Sequence, residues 1–365
     1  MWIVPSLLVR YNARMIQRRV TRLVKVGSIR IGSGAPVVVQ SMTKVPTTDV
    51  DRCVRQIRRL VAAGCDLVRV AVPRPADTQA LGRIIQKVEV PLVADIHFSP
   101  ERAVEAIEAG VAKIRVNPGN IKDRSDVLRI IDAAKRHGVA IRIGVNEASI
   151  RDLRYDVPLS RRISLMLREM KGYVRLFEKQ GFDQLVLSAK STDPIRTIET
   201  NRAIAGIFDY PIHLGLTHAG LPEDAQVPSA VALGTLLAEG IGDTIRVSAA
   251  GDPAVEARVA VEILQALGLR TRQGPELIVC PTCGRTEIDL VRLARQIKRA
   301  LHRVDKPVRV AVMGCVVNGP GEAADADLAV CAGKGKAFLY RGGRRIGVAP
   351  ETRILSTILD ELANL

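Results

Sequence analysis

Between Leu23 and Leu269 the sequence repeats one pattern: a short β-branched run that ends in polar residues, followed by an amphipathic stretch. The eight runs are residues 37–43, 66–72, 91–98, 112–117, 140–146, 184–190, 212–218 and 243–248. The stretches between them have helical periodicity, as in residues 49–63, 99–110, 125–137 and 253–267. This spacing predicts a (β/α)₈ TIM-type barrel. An open doubly wound sheet is the competing layout, but it rarely needs eight evenly spaced units, and no GxGxxG follows the first run.

The predicted strands end in polar and charged residues, and the active site of such a barrel lies at the C-terminal ends of its strands. From the second strand to the eighth these residues are Arg69; Asp95 and His97; Arg115 and Asn117; Arg142 and Asn146; Ser188 and Lys190; His218; and Arg246 and Ser248. The members of each pair are two or four positions apart, so both face the same way. If they face inward, one barrel mouth holds five cations.

A converging ring of mostly Arg cations suits a dense anion such as a diphosphate, because guanidinium binds phosphate oxygens in a bidentate fork and stays charged. The alternative is that some of these cations form ion pairs with Asp66, Asp95 or Asp243 at the barrel rim. Asp95 and His97 suit acid–base or hydroxyl-orienting chemistry, and the same Asp-x-His pattern also occurs as a buried structural pair. We interpret the remaining histidines, His137, His213 and His302, as structural.

The composition changes near residues 271–275, and a compact α+β unit of about 90 residues follows. Its predicted elements are strands at 276–280, 308–313, 328–331 and 336–340 and helices at 287–302 and 351–362. The sequence therefore predicts three segments: an N-terminal extension at 1–20, a barrel at 21–272 and a small domain at 273–365. The extension combines a short apolar run with four arginines. It is interpreted as a targeting peptide or as a translation start assigned too far upstream, with Met15 nearer the true start.

Three cysteines in the small domain form a pattern typical of metal binding. Cys280 and Cys283 make a CxxC motif, and Cys315 precedes a Gly/Pro-rich turn that ends at Glu322. Three soft ligands indicate an iron–sulfur cluster with one unusual or open iron, or a zinc site with a non-thiolate ligand. The tight loop at 316–322 brings Glu322 back toward Cys315 as a candidate fourth ligand, or leaves it exposed.

Six cysteines in 365 residues are too few for a disulfide framework, so the motif favours a reducing compartment such as the cytoplasm. Cys53 and Cys65 are expected to be buried packing thiols, and Cys331 has no assigned role. The formal net charge of +16 favours anionic ligands or acidic protein partners. Aromatic residues are only 3% of the chain, which argues against single-stranded nucleic acid as a ligand. No apolar run is long enough to cross a bilayer.

Several segments together resemble the family of 4-hydroxy-3-methylbut-2-enyl diphosphate synthases of the methylerythritol phosphate route to isoprenoids, in its bacterial two-domain form. They run in family order from about residue 21 to the C-terminus. The matching segments are VQSMT at 39–43, VADIHF at 93–98, KIRVNPGNI at 113–121, LSAK at 187–190, DTIRVS at 243–248, CPTC at 280–283 and CVVNGPGE at 315–322.

The resemblance implies a barrel that binds 2-C-methyl-D-erythritol 2,4-cyclodiphosphate. It also implies a [4Fe–4S] cluster held by Cys280, Cys283, Cys315 and Glu322, and two electrons delivered by flavodoxin or ferredoxin. Ring opening and loss of water then give the linear allylic diphosphate. The resemblance further implies a homodimer in which one subunit's cluster domain closes over the other's barrel.

Three positions depart from the family pattern. His218 stands where the family commonly has a substrate-facing Glu, Ala148 stands in the Asn-x-Gly-Ser motif that begins at Asn146, and the eighth strand continues into an unusual Ala249-Ala250-Gly251 tail. Two other functions compete with the family's reaction. A pterin-dependent transferase of the dihydropteroate synthase type also uses a phosphate-binding barrel, but it gives the cysteines no task. A zinc module that holds RNA on its basic surface predicts a colourless protein with strongly salt-dependent RNA binding.

Overall fold

The structure is a computed structural model that describes residues 16–117, 120–121, 123–147, 157–217 and 220–364. The chain divides into two compact units, Met1–Arg270 and Thr271–Leu365. Among the described residues, no helix combines the length and the apolar character needed to span a bilayer.

The first unit begins with a two-stranded antiparallel hairpin and continues as eight parallel strands. The hairpin consists of β1 (Val24–Val26) and β2 (Ile29–Ile31). The parallel strands are β3 (Val38–Met42), β4 (Leu67–Ala71), β5 (Leu92–Asp95), β6 (Lys113–Val116), β7 (Ala140–Asn146), β8 (Leu185–Lys190), β9 (His213–Leu214) and β10 (Thr244–Ile245).

In the part of the chain that the structure describes, eight helices connect and cover these strands. They are α1 (Val50–Ala62), α2 (Pro75–Ile85), α3 (Pro100–Glu108), α4 (Arg124–His137), α5 (Leu159–Lys179), α6 (Pro194–Ile207), α7 (Pro222–Ala238) and α8 (Pro253–Ala266). Local sequence explains where several begin and end. Asp49, Ser99 and Asp193 each accept a hydrogen bond from a backbone N–H of the first turn. Gly138 ends α4 in the left-handed conformation, at φ 63°.

The strands close into a barrel. Neighbouring strands follow the order β8-β7-β6-β5-β4-β3-β10-β9, and a parallel bridge between Leu187 and Ile212 joins the two ends of this series. The predicted (β/α)₈ barrel is therefore confirmed, and the open doubly wound sheet is excluded. The seventh strand is shorter than predicted, since β9 contains only two residues.

The N-terminal hairpin closes the bottom of the barrel. Val24, Val26 and Ile31 are fully buried and form one apolar cluster with residues from the first halves of the barrel strands, including Val38 and Leu67. This cluster seals the end of the barrel opposite to the C-terminal strand ends. The opposite end is therefore the one open to a ligand.

Part of the segment that the sequence analysis set aside contacts the barrel. The Arg18 guanidinium lies 2.8 Å from a carboxylate oxygen of Asp243. Arg19 donates hydrogen bonds to the carbonyl oxygens of Ala205 and Tyr210, at 3.1 and 2.7 Å. Residues 18 and 19 thus pack as part of the first unit.

The second unit is a five-stranded sheet with two helices over one face. Its strands are β11 (Glu276–Val279), β12 (Arg309–Met313), β13 (Leu328–Gly333), β14 (Lys336–Arg341) and β15 (Arg344–Pro350), in that spatial order. The first three are parallel and the last two antiparallel. Its helices are α9 (Leu290–Leu301), the short α10 (Gly319–Glu322) and α11 (Ile354–Ala363). Leu290, Ile297 and Ile358 pack against the sheet in the main core of this unit.

Two details of this unit differ from the predictions. β15 is absent from the predicted elements, and its only buried residue is Ala349. The segment predicted as a loop between Cys315 and Glu322 ends in α10, because Pro320 occupies a first-turn position that needs no backbone N–H.

Candidate active site

A cavity of about 740 Å³ opens at the C-terminal ends of the barrel strands. Seven of the eight strands, or the loops that follow them, contribute to its described walls, and the first strand, β3, does not. Helix α8 contributes Glu256. The lining includes Arg69, Asp95, His97, Arg115, Arg142, Gly144, Asn146, Ser188, Lys190, Leu216, Thr217, Arg246, Ser248 and Glu256.

All five predicted cations line this cavity: Arg69, Arg115, Arg142, Lys190 and Arg246. Their convergence follows from parallel pairing, because Arg115 and Arg142 are register partners on adjacent strands. Residues that share a register on adjacent parallel strands point to the same side of the sheet. The residue spacing along the strands therefore predicts side chains that the fold brings together.

Asp95 is the carboxylate at the centre of one side of the cavity. Its Oδ1 lies 3.9 Å from Arg69 Nη1 and 3.5 Å from Arg115 Nη1, and its Oδ2 lies 3.3 Å from His97 Nε2. Burial alone would raise the pKa of Asp95, but Arg69, the hydrogen bond with His97 and Arg115 hold it below its ordinary value. Asp95 is therefore an ionised carboxylate at neutral pH.

The other two rim carboxylates considered above are paired elsewhere. Asp66 makes a bidentate pair with Arg270, at 3.0 and 3.1 Å. Asp243 pairs with Arg18 at the bottom of the barrel. Neither neutralises a cavity cation.

Glu256 on α8 is a cavity residue that the sequence analysis missed. Its side chain is 1% exposed and lies 3.3 Å from Arg246 Nε and 2.9 Å from Lys44 Nζ. It also accepts hydrogen bonds from Ser41 Oγ at 2.9 Å and from the backbone N–H of Ala249 at 3.1 Å. One sequence feature indicates that Glu256 is buried: it lies four residues before Ala260, on the same buried face of α8.

Arg142 and Lys190 make no ion pair with any described carboxylate. Arg142 Nη1 donates to Ser188 Oγ at 3.2 Å, while its Nε has no hydrogen-bond partner among the described residues. Burial and the neighbouring cations hold the pKa values of both Arg142 and Lys190 well below their ordinary values. Burial likewise lowers the pKa of Arg69, to about 10. The cavity thus carries positive charge that the described residues do not balance.

The remaining predicted residues divide into three groups. His97, Asn146, Ser188 and Ser248 line the cavity. Asn117 is buried, at 2% exposure, and is not part of the described lining. His218 lies outside the described residues.

Beneath the cavity the barrel interior holds two further basic residues. Lys113 and His213 are both fully buried, and Lys113 Nζ and His213 Nε2 have no hydrogen-bond partner among the described residues. Burial and nearby cations, Arg142 among them, hold the pKa of each well below its ordinary value. His213 is not part of the described cavity lining, and its structural role stays a prediction. Lys113 was missed, although it lies two residues before Arg115 and so faces the same way.

In the second unit, both cysteine motifs lie at the same edge of the sheet. Cys280 directly follows β11, and Cys315 follows β12, its parallel neighbour. The backbone N–H of Gly314 donates to Cys280 Sγ at 3.2 Å. Backbone N–H groups of Val317 and Asn318 lower the pKa of Cys315.

These cysteines fit an iron–sulfur site, because N–H···S hydrogen bonds and a lowered thiol pKa stabilise the thiolate that binds iron. Among the residues that the structure describes, no three His, Cys, Asp or Glu side chains already lie close enough together to hold a metal ion. Cys283 is exposed at the CxxC turn, where Thr282 adopts a left-handed φ of 63°. Glu322 is exposed at the end of α10.

Cys331, which had no assigned role, is a buried packing thiol in β13. Burial and the charges of Cys315 and Cys280 raise its pKa to about 12. It belongs to an apolar cluster with Ala311, Met313 and Ala329 on one face of the sheet. Cys53 and Cys65 are also buried, as predicted.

The comparisons with known proteins agree with this two-unit arrangement. Residues 21–261 match the GcpE TIM-barrel domain, and residues 276–364 match the GcpE protein C-terminal domain. The chain belongs to the GcpE family. The matched domains include both the barrel with its cationic cavity and the unit with its three cysteines. GcpE enzymes are iron–sulfur oxidoreductases.

Two relatives illustrate the similarity. The protein from Symbiobacterium thermophilum is 48% identical over 95% of this chain and 93% of its own length. The protein from Aquifex aeolicus is 44% identical over 96% of this chain and 98% of its own length. Both are named 4-hydroxy-3-methylbut-2-en-1-yl diphosphate synthase (flavodoxin).

A solved dihydropteroate synthase from Xanthomonas albilineans aligns with 68% of this chain and 98% of its own, at 17% identity and a TM-score of 0.49. This alignment says nothing about the reaction. The GcpE assignment therefore decides between the three functions considered from the sequence, and it favours the reductive enzyme.

Proposed function

We infer that this chain catalyses the reductive ring opening and dehydration of 2-C-methyl-D-erythritol 2,4-cyclodiphosphate to (E)-4-hydroxy-3-methylbut-2-enyl diphosphate. Membership of the GcpE family supports the reaction. The single structural observation that supports it is the cavity in which, among the described residues, five cations face two carboxylates, Asp95 and Glu256. Such an excess of positive charge suits a ligand with two phosphates.

The chemistry of substrate and product defines what the site must do. The C2–O bond to the ring phosphate and the C3–O bond to the hydroxyl break, and a C2=C3 double bond forms. Two electrons and two protons enter, and one water leaves, so that atoms and electrons balance. The diphosphate stays on C4. The site must therefore hold the diphosphate fixed, assist the departure of hydroxide and receive two electrons.

Arg142 and Lys190 are proposed as the principal diphosphate ligands, because neither has a described carboxylate partner. Arg69, Arg115 and Arg246 share Asp95 or Glu256, which orient them toward the same space. The Nε atoms of Arg115 and Arg142 have no hydrogen-bond partner in the part of the chain that the structure describes, so both can donate to phosphate oxygens.

Polar side chains are proposed to orient the carbon skeleton of the substrate. Asn146, Ser188 and Ser248 line the cavity and suit hydrogen bonds to hydroxyl groups. Asn117, which is buried and lies outside the described lining, is proposed in the same role.

Asp95 and His97 form the acid–base pair of the proposal. Asp95 Oδ2 lies 3.3 Å from His97 Nε2 and holds the imidazole at the cavity wall. His97 is then positioned to donate a proton to an oxygen that leaves the substrate. His218, in the position where the family commonly has Glu, is proposed as a second proton donor, and Glu322 as a catalytic residue at the metal site.

We propose a [4Fe–4S] cluster held by Cys280, Cys283, Cys315 and Glu322. When bound, such a cluster supplies electrons one at a time to the substrate. Cys280 and Cys315 follow neighbouring parallel strands, and Cys283 lies in the CxxC turn that begins at Cys280. A carboxylate ligand to the fourth iron would be easier to displace than a thiolate. We further propose flavodoxin as the electron donor, with ferredoxin as the alternative, a homodimeric assembly and a cytoplasmic location.

Substrate binding without turnover tests the cavity assignment. Arg142→Met and Lys190→Met should each weaken equilibrium binding of the cyclic diphosphate about ten- to a hundred-fold, the value of one charged hydrogen bond. Lys87→Met is the matched control, because Lys87 pairs with Asp51 on the exposed outer surface. Wild-type affinity in both cavity variants would show that the diphosphate binds elsewhere.

A further inference from the structure

The outer face of α9 carries an unneutralised row of cations. Within this helix four residues are basic and none is acidic: Arg292, Arg295, Lys298 and Arg299. They are spaced three and four residues apart and are all exposed, so they share the face opposite to the buried Leu290, Ile297 and Leu301. We call these four residues the α9 stripe.

No cation of the α9 stripe forms an ion pair with a described residue. Elsewhere in the second unit, exposed arginines do find partners, such as Arg309 with Glu276 at 2.9 Å. On the barrel helices Arg59 pairs with Asp252 at 2.7 Å, and Lys87 pairs with Asp51 at 2.9 Å. Other exposed cations among the described residues also lack an ion pair, but in α9 four of them share one helix face and the helix contains no acidic residue.

The arrangement does not serve the helix itself. Arg292 and Arg295, like Arg295 and Arg299, are like charges three or four residues apart, which is unfavourable in a helix. Arg292 also lies in the first turn, where the helix dipole disfavours a cation. Only Lys298 and Arg299, in the last turn, have a favourable dipole interaction. A ligand of opposite charge would remove the repulsion.

The stripe begins beside the cysteine motifs. Leu290 Cδ2 lies 3.2 Å from the position that a Cβ on Gly314 would occupy, and Gly314 directly precedes Cys315. Thr286, four residues before α9, accepts a hydrogen bond from the backbone N–H of Cys283 at 3.1 Å. The N-terminal end of α9, where Arg292 lies, is therefore next to the residues that flank Cys283 and Cys315.

We propose that the α9 stripe is the docking surface for an acidic face of the protein electron donor, the flavodoxin that the relatives' names print. The proposal rests on the proposed function, since it assigns a surface to the partner of that reaction. Each encounter oxidises the donor flavin by one electron, and two encounters supply the two electrons of a turnover. Unpaired surface charge near a redox site increases the rate of such encounters and makes them depend on ionic strength. Electron-transfer complexes are small and transient, so four cations are a sufficient footprint.

The test compares two electron donors in the iron-loaded enzyme. Arg295→Glu/Arg299→Glu reverses two charges of the stripe, and Arg295→Gln/Arg299→Gln removes them, with residues that favour helices equally. Lys334→Glu/Arg344→Glu is the matched control, because both residues are exposed in the same unit but lie outside α9. Initial rates are measured against reduced flavodoxin at several salt concentrations, and separately with reduced methyl viologen. Circular dichroism and iron content verify that all variants are folded and loaded.

We expect the Glu variant to raise KM for flavodoxin at least ten-fold and to flatten its salt dependence, with a smaller effect in the Gln variant. Viologen-driven turnover and the KM for the cyclic diphosphate should stay within two-fold of wild type, as should all rates of the control. An unchanged KM for flavodoxin in the Glu variant overturns the docking proposal while the proposed function stands. Equal losses with both donors overturn it as well, because the stripe would then contact a second copy of this chain. Absence of turnover with either donor in the wild type overturns the proposed function itself.

Discussion

Gly215 leaves the space that Lys190 occupies in the cavity, so its replacement by alanine should disturb substrate binding. A Cβ at position 215 would lie 2.5 Å from Lys190 Nζ and 2.7 Å from the carbonyl oxygen of Arg246. Real Cβ contacts are longer than this. The lysine side chain can move aside, but the Arg246 carbonyl is backbone and must shift with its strand.

The expected size of the effect follows from these two contacts. Overpacking against a backbone atom in a closed barrel costs about 1–3 kcal/mol of folding stability. For a unit of this size that corresponds to a fall in Tm of about 2–12 °C. Displacement of Lys190 removes one charged hydrogen bond to the diphosphate, which is worth about 1.5–3 kcal/mol. Substrate affinity should therefore fall roughly ten- to a hundred-fold.

Calorimetric titration with the cyclic diphosphate and thermal melting measure the two effects separately. Gly234→Ala is the matched control, since a Cβ at that position in α7 would meet no described atom within 4 Å apart from its chain neighbours and its own helix backbone. Alanine in a helix interior should leave affinity unchanged and raise stability by about 0.5–1 kcal/mol.

A double-mutant cycle with Lys190→Met separates the lysine from the Arg246 carbonyl. In that background Gly215→Ala should still lower Tm but should reduce affinity little further, because the ammonium group is already absent. If Gly215→Ala alone binds substrate and melts like the wild type, the assigned position of Lys190 in the cavity is wrong.

Three further predictions concern other groups of the two sites. Glu256→Gln should destabilise the barrel by about 3 kcal/mol, because it leaves buried Arg246 without its carboxylate; thermal melting against the exposed Glu262→Gln, expected within about 0.5 kcal/mol of wild type, checks this. The pKa of Lys190 is lowered in the free protein, and the bound diphosphate should raise it again. Binding then takes up a proton, and affinity should fall as the pH rises from the free pKa of Lys190 to its bound pKa. Titrations in buffers of different ionisation enthalpy should show this proton uptake, and its persistence in Lys190→Met would assign it to another group. Iron and activity should be lost in each of Cys280→Ser, Cys283→Ser and Cys315→Ser, whereas Glu322→Ala should leave a labile iron and Cys331→Ala should keep its iron. Anaerobic iron and sulfide analysis distinguishes these outcomes. Full iron retention in any of the three Ser variants would contradict the role of that cysteine as a ligand.

The cavity could be predicted from the sequence because strand periodicity is local. A side chain two residues from another on a strand faces the same way, and parallel register then brings Arg115 and Arg142 together. The same reasoning could not place Glu256, since its contact with Arg246 depends on how α8 packs against the barrel. Nor could it identify which carboxylates pair with which cations.

Short elements were the other limit of the sequence analysis. The strands of the hairpin that closes the barrel contain three residues each, which is too few for a periodicity to be visible. The four residues of α10 were interpreted as a loop because Gly319, Pro320 and Gly321 are typical turn residues. In both cases tertiary packing determines the structure. At position 319, for example, Met313 and Cys331 leave no room for a Cβ, so glycine is required there.

Anaerobic turnover of the iron-loaded protein tests the central claim most directly. The protein is mixed with 2-C-methyl-D-erythritol 2,4-cyclodiphosphate and reduced flavodoxin, and the product is identified by mass spectrometry while flavodoxin oxidation is followed optically. We predict a linear diphosphate that has lost one oxygen relative to the substrate, with two electrons consumed for each molecule formed. An unconsumed cyclic diphosphate, with both flavodoxin and reduced methyl viologen as donors, would contradict the account.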